Sequence, residues 1–239
     1  MSDRIKFTSH EVKQDKLAEF VADGREKVAS HVPIIAGAIA VVVVAAVGIY
    51  FVLDSREKSH KAASQGLADA KTQLAGGNLQ PALLDLEKIS KEFSGDPAAG
   101  EALFLLANAH YLNDNFEEAK RRFEEYVSEY STPRLSVSSA IAGAGACMEN
   151  TGDHPGAAVK YLAALDYEPK GPAADDYAIS ALRNYLLAGD RANAQTIYDR
   201  MQRDFATSPK LIVAERLFFE ITAAPSEGSR PEASPSTGQ

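Results

Sequence analysis

The run Asp114-Asn-Phe-Glu-Glu-Ala119, followed four residues later by Phe123, decides the reading of this chain, because three other segments repeat it. They are Gly77-Asn-Leu-Gln-Pro-Ala82 with Leu86, Gly152-Asp-His-Pro-Gly-Ala157 with Tyr161, and Gly189-Asp-Arg-Ala-Asn-Ala194 with Tyr198. Each shows a small or turn-forming residue, then an alanine, then a large apolar side chain one helical turn further on. The alanines stand 37, 38 and 37 residues apart, a fixed period that marks stacked repeats. Each unit reads as two amphipathic helices joined by a tight turn, with the glycine supplying a helix-ending conformation. The alanine sits where the second helix crosses the first closely, and the larger residue fills the gap beside it. One such hairpin cannot bury its own apolar face, whereas stacking several does, which predicts an all-α solenoid with a concave face.

Counted from Ala63, Gly100, Ser138 and Asp175, the units fall near 63–96, 100–133, 138–171 and 175–208. In this register the chain resembles the tetratricopeptide repeat family over about residues 60–209. The second unit carries Leu103, Leu106, Ala107, Ala119 and Phe123 at signature positions. The third carries Ile141, Gly145, Gly152, Ala157, Tyr161, Ala164 and a closing Pro169, and the fourth Tyr185, Gly189, Ala194 and Tyr198. The first is degenerate, with Gly66 at the usual aromatic position and Gly77, Ala82 and Leu86 retained. The family's unit of about 34 residues is lengthened here at Asp96-Pro97, Ser131 to Leu135 and Gly171-Pro172. The resemblance assigns packing roles to Ala82, Ala119, Phe123, Gly145, Ala157, Tyr161, Ala194 and Tyr198. Leu211 to Ala223 reads as a helix capping the last unit, closing a repeat domain over 54–224 with its cap at 210–224. Residues 225–239 contain Ser, Pro, Gly and Glu without a large apolar residue, so disorder is expected there.

Ahead of the repeats, Val32 to Leu53 reads VPIIAGAIAVVVVAAVGIYFVL, without a charge. As a helix this run is about 33 Å long, enough to cross the hydrocarbon core of a bilayer. Tyr50 and Phe51 stand at one end, where aromatic rings favour the interface. A buried core helix is rarely so long and so free of polar residues. A cleaved signal peptide has a short basic leader and a shorter apolar run; here 31 residues with six basic and six acidic side chains come first. An uncleaved transmembrane anchor over 32–53 is the expectation. Basic residues flanking it are tied, four on each side, and only Arg4 and Lys6 tip the balance toward a cytoplasmic N-terminus. Residues 1–31 form the N-terminal segment, in which Thr8 and Glu11 have capping-box spacing and predict the start of a short helix.

The formal charge of −8 argues against nucleic acid, whose phosphates call for clustered Lys and Arg. The single cysteine, Cys147, allows no internal disulfide and reads as a core filler. No two histidines stand at metal-ligand spacing on one helix, and no phosphate loop or nucleophile elbow is present. The expectation is a protein that is not an enzyme, with no cofactor, no metal and no small-molecule substrate.

In the resembling family, ligands lie along the concave groove lined by the first helix of each unit. That implies Phe104, Asn108, Tyr111 and Leu112 from the second unit and Ile179, Arg183 and Leu187 from the fourth as peptide-groove candidates. The mixture suits an apolar or extended segment. The family's carboxylate clamp needs basic residues beside its asparagines; Asn108 matches one of these, but Phe104 stands where a lysine belongs.

The layout of charged N-terminus, single anchor and degenerate first repeat resembles the bacterial ancillary Sec-translocon subunits, inner-membrane proteins with periplasmic tetratricopeptide domains. It implies a single-pass inner-membrane protein with its N-terminus in the cytoplasm and its repeats in the periplasm. Its partners would then be unfolded or exported proteins and translocon subunits, and its role chaperone-like. Two other readings stay open: a scaffold subunit of an envelope complex serving division or outer-membrane assembly, and a cytoplasm-facing recruiter.

Overall fold

Left-handed backbone marks the four turns on which the sequence period rests. Gly77, Asp114, Gly152 and Gly189 have φ of 77°, 56°, 83° and 74°. At each, the turn residue donates its amide to the carbonyl three residues back, and the next residue donates to the carbonyl five back. The pairs are Gly77 to Leu74 and Asn78 to Gln73, Asp114 to Tyr111 and Asn115 to His110, Gly152 to Glu149 and Asp153 to Met148, and Gly189 to Leu186 and Asp190 to Tyr185. This paired closure of a helix end satisfies carbonyls that would otherwise lack partners. The second residue of each pair is the N-cap of the following helix, and Asp153 and Asp190 accept from the amides of Gly156 and Asn193. One short motif thus ends one helix and begins the next.

The computed structural model describes residues 9–223, with side chains at 36–37 and 39–219. The tail over 225–239 and Thr8 of the N-terminal cap pair lie outside the described residues. The helices run in the order α1 (Ser9–Ala75), α2 (Leu79–Glu92), α3 (Pro97–Leu112), α4 (Phe116–Glu129), α5 (Arg134–Asn150), α6 (His154–Tyr167), α7 (Ala174–Leu187), α8 (Arg191–Asp204) and α9 (Lys210–Ala223), with no strand among the described residues. Two compact units divide the chain, Met1–Ser59 and His60–Gln239.

Within the first unit, every described side chain of the 32–53 run is exposed. The stretch Ile39–Ala75 of α1 contains an 18-residue window with a mean hydropathy of 2.0, and by length and composition it can cross a membrane.

In the second unit each helix packs on its neighbour in the chain, from α2 on α3 through α7 on α8, and α9 closes against both α7 and α8. The helices form a tetratricopeptide-like solenoid of helical hairpins. Part of the added length between repeats is helical: α3 starts at Pro97 and α5 at Arg134, giving 16 and 17 residues against 14 in α2, α4, α6, α7 and α8. Asp96 caps α3 by accepting from the Ala98 amide, and Pro97 takes the first helical position, where its missing N–H costs nothing.

Ala82, Ala119, Ala157 and Ala194 are all 0% exposed. Their small size lets paired helices approach closely. A Cβ on Gly145 of α5 would lie 3.1 Å from the Lys160 Cβ and 3.3 Å from the Ala157 carbonyl of α6, so this crossing has little space to spare. Leu86, Phe123, Tyr161 and Tyr198 are buried beside the alanines. Three successive clusters make the core, the first centred on Leu67, Leu86 and Leu106, the next on Leu103, Phe123 and Val137, the last on Leu165, Leu182 and Met201. On α9, Phe218 stacks on Tyr198 with ring centroids 5.0 Å apart, and Ala214 is buried.

Successive second helices are also tied by charge. Glu87 of α2 meets Arg122 of α4 at 2.8 Å, Glu124 of α4 meets Lys160 of α6 at 2.8 Å, and Asp166 of α6 meets Arg200 of α8 at 2.5 Å. Each acid belongs to the earlier helix and each base to the later one. Such pairs on a wet surface contribute little. Arg122 differs, since its side chain is only 5% exposed and its guanidinium is shared among Glu87, Glu118 and Glu125.

Candidate functional site

The starts of α3 and α5 leave a cleft of about 720 Å³ between them, floored by the end of α4. Phe104 of α3 lines it together with Tyr126 and Tyr130 of α4, and Pro97, Asp96, Glu101, Thr132, Pro133 and Ser136 complete the walls. The aromatic floor is closely packed. Tyr126 and Tyr130 stack with centroids 5.0 Å apart at 24°, and Phe104 meets Tyr126 edge-on at 5.5 Å and Phe123 at 5.9 Å. The spacing of Tyr126 and Tyr130 explains the stacking, because residues four apart share one face of a helix. Gly100 makes room for them: a Cβ there would lie 2.8 Å from the Tyr130 ring, which therefore rests against the α3 backbone. Burial raises the phenol pKa of both tyrosines above the ordinary value, so both carry their protons at neutral pH.

The acids at the rim are engaged but retain capacity. Asp96 caps α3 and sits 2.9 Å from His60 Nδ1. Glu101 pairs with Lys71 of α1 at 2.6 Å, both side chains being about half exposed. A carboxylate has roughly four acceptor positions, so neither is saturated.

A second hollow of about 310 Å³ follows the same helix toward its other end, lined by Leu74, Leu79, Leu105, Asn108, Ala109 and Leu112, among others. Its surface is almost wholly apolar, and Leu112 is 82% exposed beside it. Such a residue gains from being covered.

The groove candidates therefore divide. Phe104 lines the large cleft, and Asn108 and Leu112 line the small hollow, where the Asn108 amide donates to the Phe104 carbonyl at 2.8 Å. Tyr111 is packed inward against Phe116 and accepts from Asn150 of α5 at 3.0 Å, a contact between units. On α7, Ile179 packs on the last core cluster, and Arg183 is held by Glu149 of α5 at 2.7 Å. Glu149 also accepts from Tyr161 at 3.0 Å, so this cation belongs to a bonded trio. Leu187 is 51% exposed at the end of α7. The structure brings Phe104, Asn108 and Leu112 onto one face of α3; it joins Arg183 to a partner within the repeats.

Sequence reading missed Tyr130 and Gly100 as residues that shape the cleft; Tyr126 beneath them is 3% exposed and belongs to the core. Tyr126 and Tyr130 follow Phe123 at helical spacing and look like core, and Gly100 looks like a mere start of a unit. The available signal was the combination of a residue without a side chain with an aromatic pair about one repeat later.

Among the described residues, no group of three or more His, Cys, Asp or Glu is placed to hold a metal ion. Cys147 is buried and its thiol pushed up to about 11 by that burial, which keeps it protonated and unreactive. Nothing in the repeat domain points to enzymatic activity.

Comparison with known proteins bears on the fold. The tetratricopeptide repeat family model matches residues 101–132, the second unit. No curated protein matches the chain in sequence. Nearly identical TPR-like repeats from Podosopora anserina superpose with a TM-score of 0.54 at 14% identity, covering 69% of this chain and 88% of that one. A tetratricopeptide repeat protein from Parabacteroides merdae ATCC 43184 gives a TM-score of 0.57 at 12% identity, covering 68% of this chain and 61% of that one. The match at the second unit, together with a fold shared along the rest of the domain, supports an array of tetratricopeptide-like repeats.

Proposed function

We propose that this chain is a membrane-anchored tetratricopeptide-repeat protein whose concave clefts hold extended segments of exported proteins, acting as a chaperone-like accessory near the Sec translocon. The observation that carries the binding role is the aromatic cleft between α3 and α5, continued by the exposed apolar hollow at Leu112. An extended segment matches such a surface better than a compact partner does, because its side chains project alternately into successive hollows. The anchor reading rests on the uncharged 32–53 run, whose described side chains are all exposed. A row of valines and isoleucines is strongly unfavourable in water and favourable in hydrocarbon. A cytoplasmic N-terminus and periplasmic repeats complete the reading, on the layout that resembles the ancillary translocon subunits.

The test is in-membrane crosslinking of the full chain followed by mass spectrometry. Recovery of translocon subunits with many exported proteins supports the reading. One partner in fixed ratio replaces it with a scaffold role, and soluble cytoplasmic partners reverse the topology.

A further inference from the structure

We draw no further inference here: the strongest candidate, the apolar hollow at the ends of α1 and α3 lined by Leu74, Leu79, Leu105 and Leu112, belongs to the binding surface already described, and nothing in the structure shows what covers it.

Discussion

A Cβ on Gly143 of α5 would lie 2.7 Å from the ring of Phe123 in α4, so the aromatic fills the space that a side chain on α5 would need. Phe123 is 2% exposed and enclosed by the core, and cannot yield. Gly143→Ala gains up to about 1 kcal/mol in helix propensity but overpacks the contact at about 1–3 kcal/mol. The expected outcome is a net loss of stability, read as a lower urea midpoint. A raised midpoint would show that the ring can move.

Asp114 holds the left-handed turn that glycine holds in the other three units. Left-handed backbone costs a residue with a side chain about 1–2 kcal/mol, less for Asp, whose short polar group tolerates it. Asp114→Gly should therefore raise stability by up to about 1 kcal/mol, after the extra freedom of the unfolded chain is subtracted. Gly152→Ala should lower it by about 1–2 kcal/mol. Urea unfolding at unchanged slope checks both.

The pH response follows from Glu118. Hydrogen bonds from Arg121 first, and then from Arg122, hold its carboxyl down to about 2 from an unfolded value of 4.5. Glu87, bonded to Lys91 and Arg122, is lowered as well. A folded pKa below the unfolded one gives stability that is present above pH 4.5 and lost as pH falls toward 2. Denaturant midpoints measured across that window should fall steadily, and Glu118→Gln should flatten the slope.

Much of this architecture is legible in the sequence, because its determinants are local. The turn residue, the cap after it and the crossing alanine lie within six positions, so Gly152, Asp153 and Ala157 announce a helix end, a helix start and a close contact together. The start of α5 is less legible, because Arg134 and Leu135 sit in a stretch that reads as connection and yet wind as an added turn. The surface is harder still. Arg183 has the look of a free groove cation, and its capture by Glu149, 34 residues away, depends on how two units stack. The α3/α5 cleft is hidden for the same reason, since its walls come from three helices.

Leu112 gives the cleanest test of the apolar hollow. It is largely exposed, so Leu112→Ser should leave the melting temperature unchanged. Capture of an unfolded apolar probe protein by the full chain should weaken by about tenfold or more, since covering a leucine stabilises by about 1.5–3 kcal/mol. Unaltered capture would move the binding surface away from this end of α3.

The anchor is tested by a charge at the middle of the uncharged run. Val43→Arg should raise the cost of insertion by about 2.5–3.5 kcal/mol. The variant should then appear in the soluble fraction after alkaline extraction of membranes, where the unmodified chain stays in the pellet. Identical partitioning of the two would show that this segment does not lie in lipid.

Every pair of helices in substantial contact within the repeats is adjacent in the chain or separated by one helix, as α3 is from α5 and α7 from α9. Folding such a chain brings together few residues that are distant in sequence, so little loop entropy opposes it at any step. During synthesis, α4 has both of its covers as soon as α5 has emerged, and α6 as soon as α7 has. A ribosome making this protein therefore releases it one finished layer at a time, and no apolar face waits for a segment still many codons away.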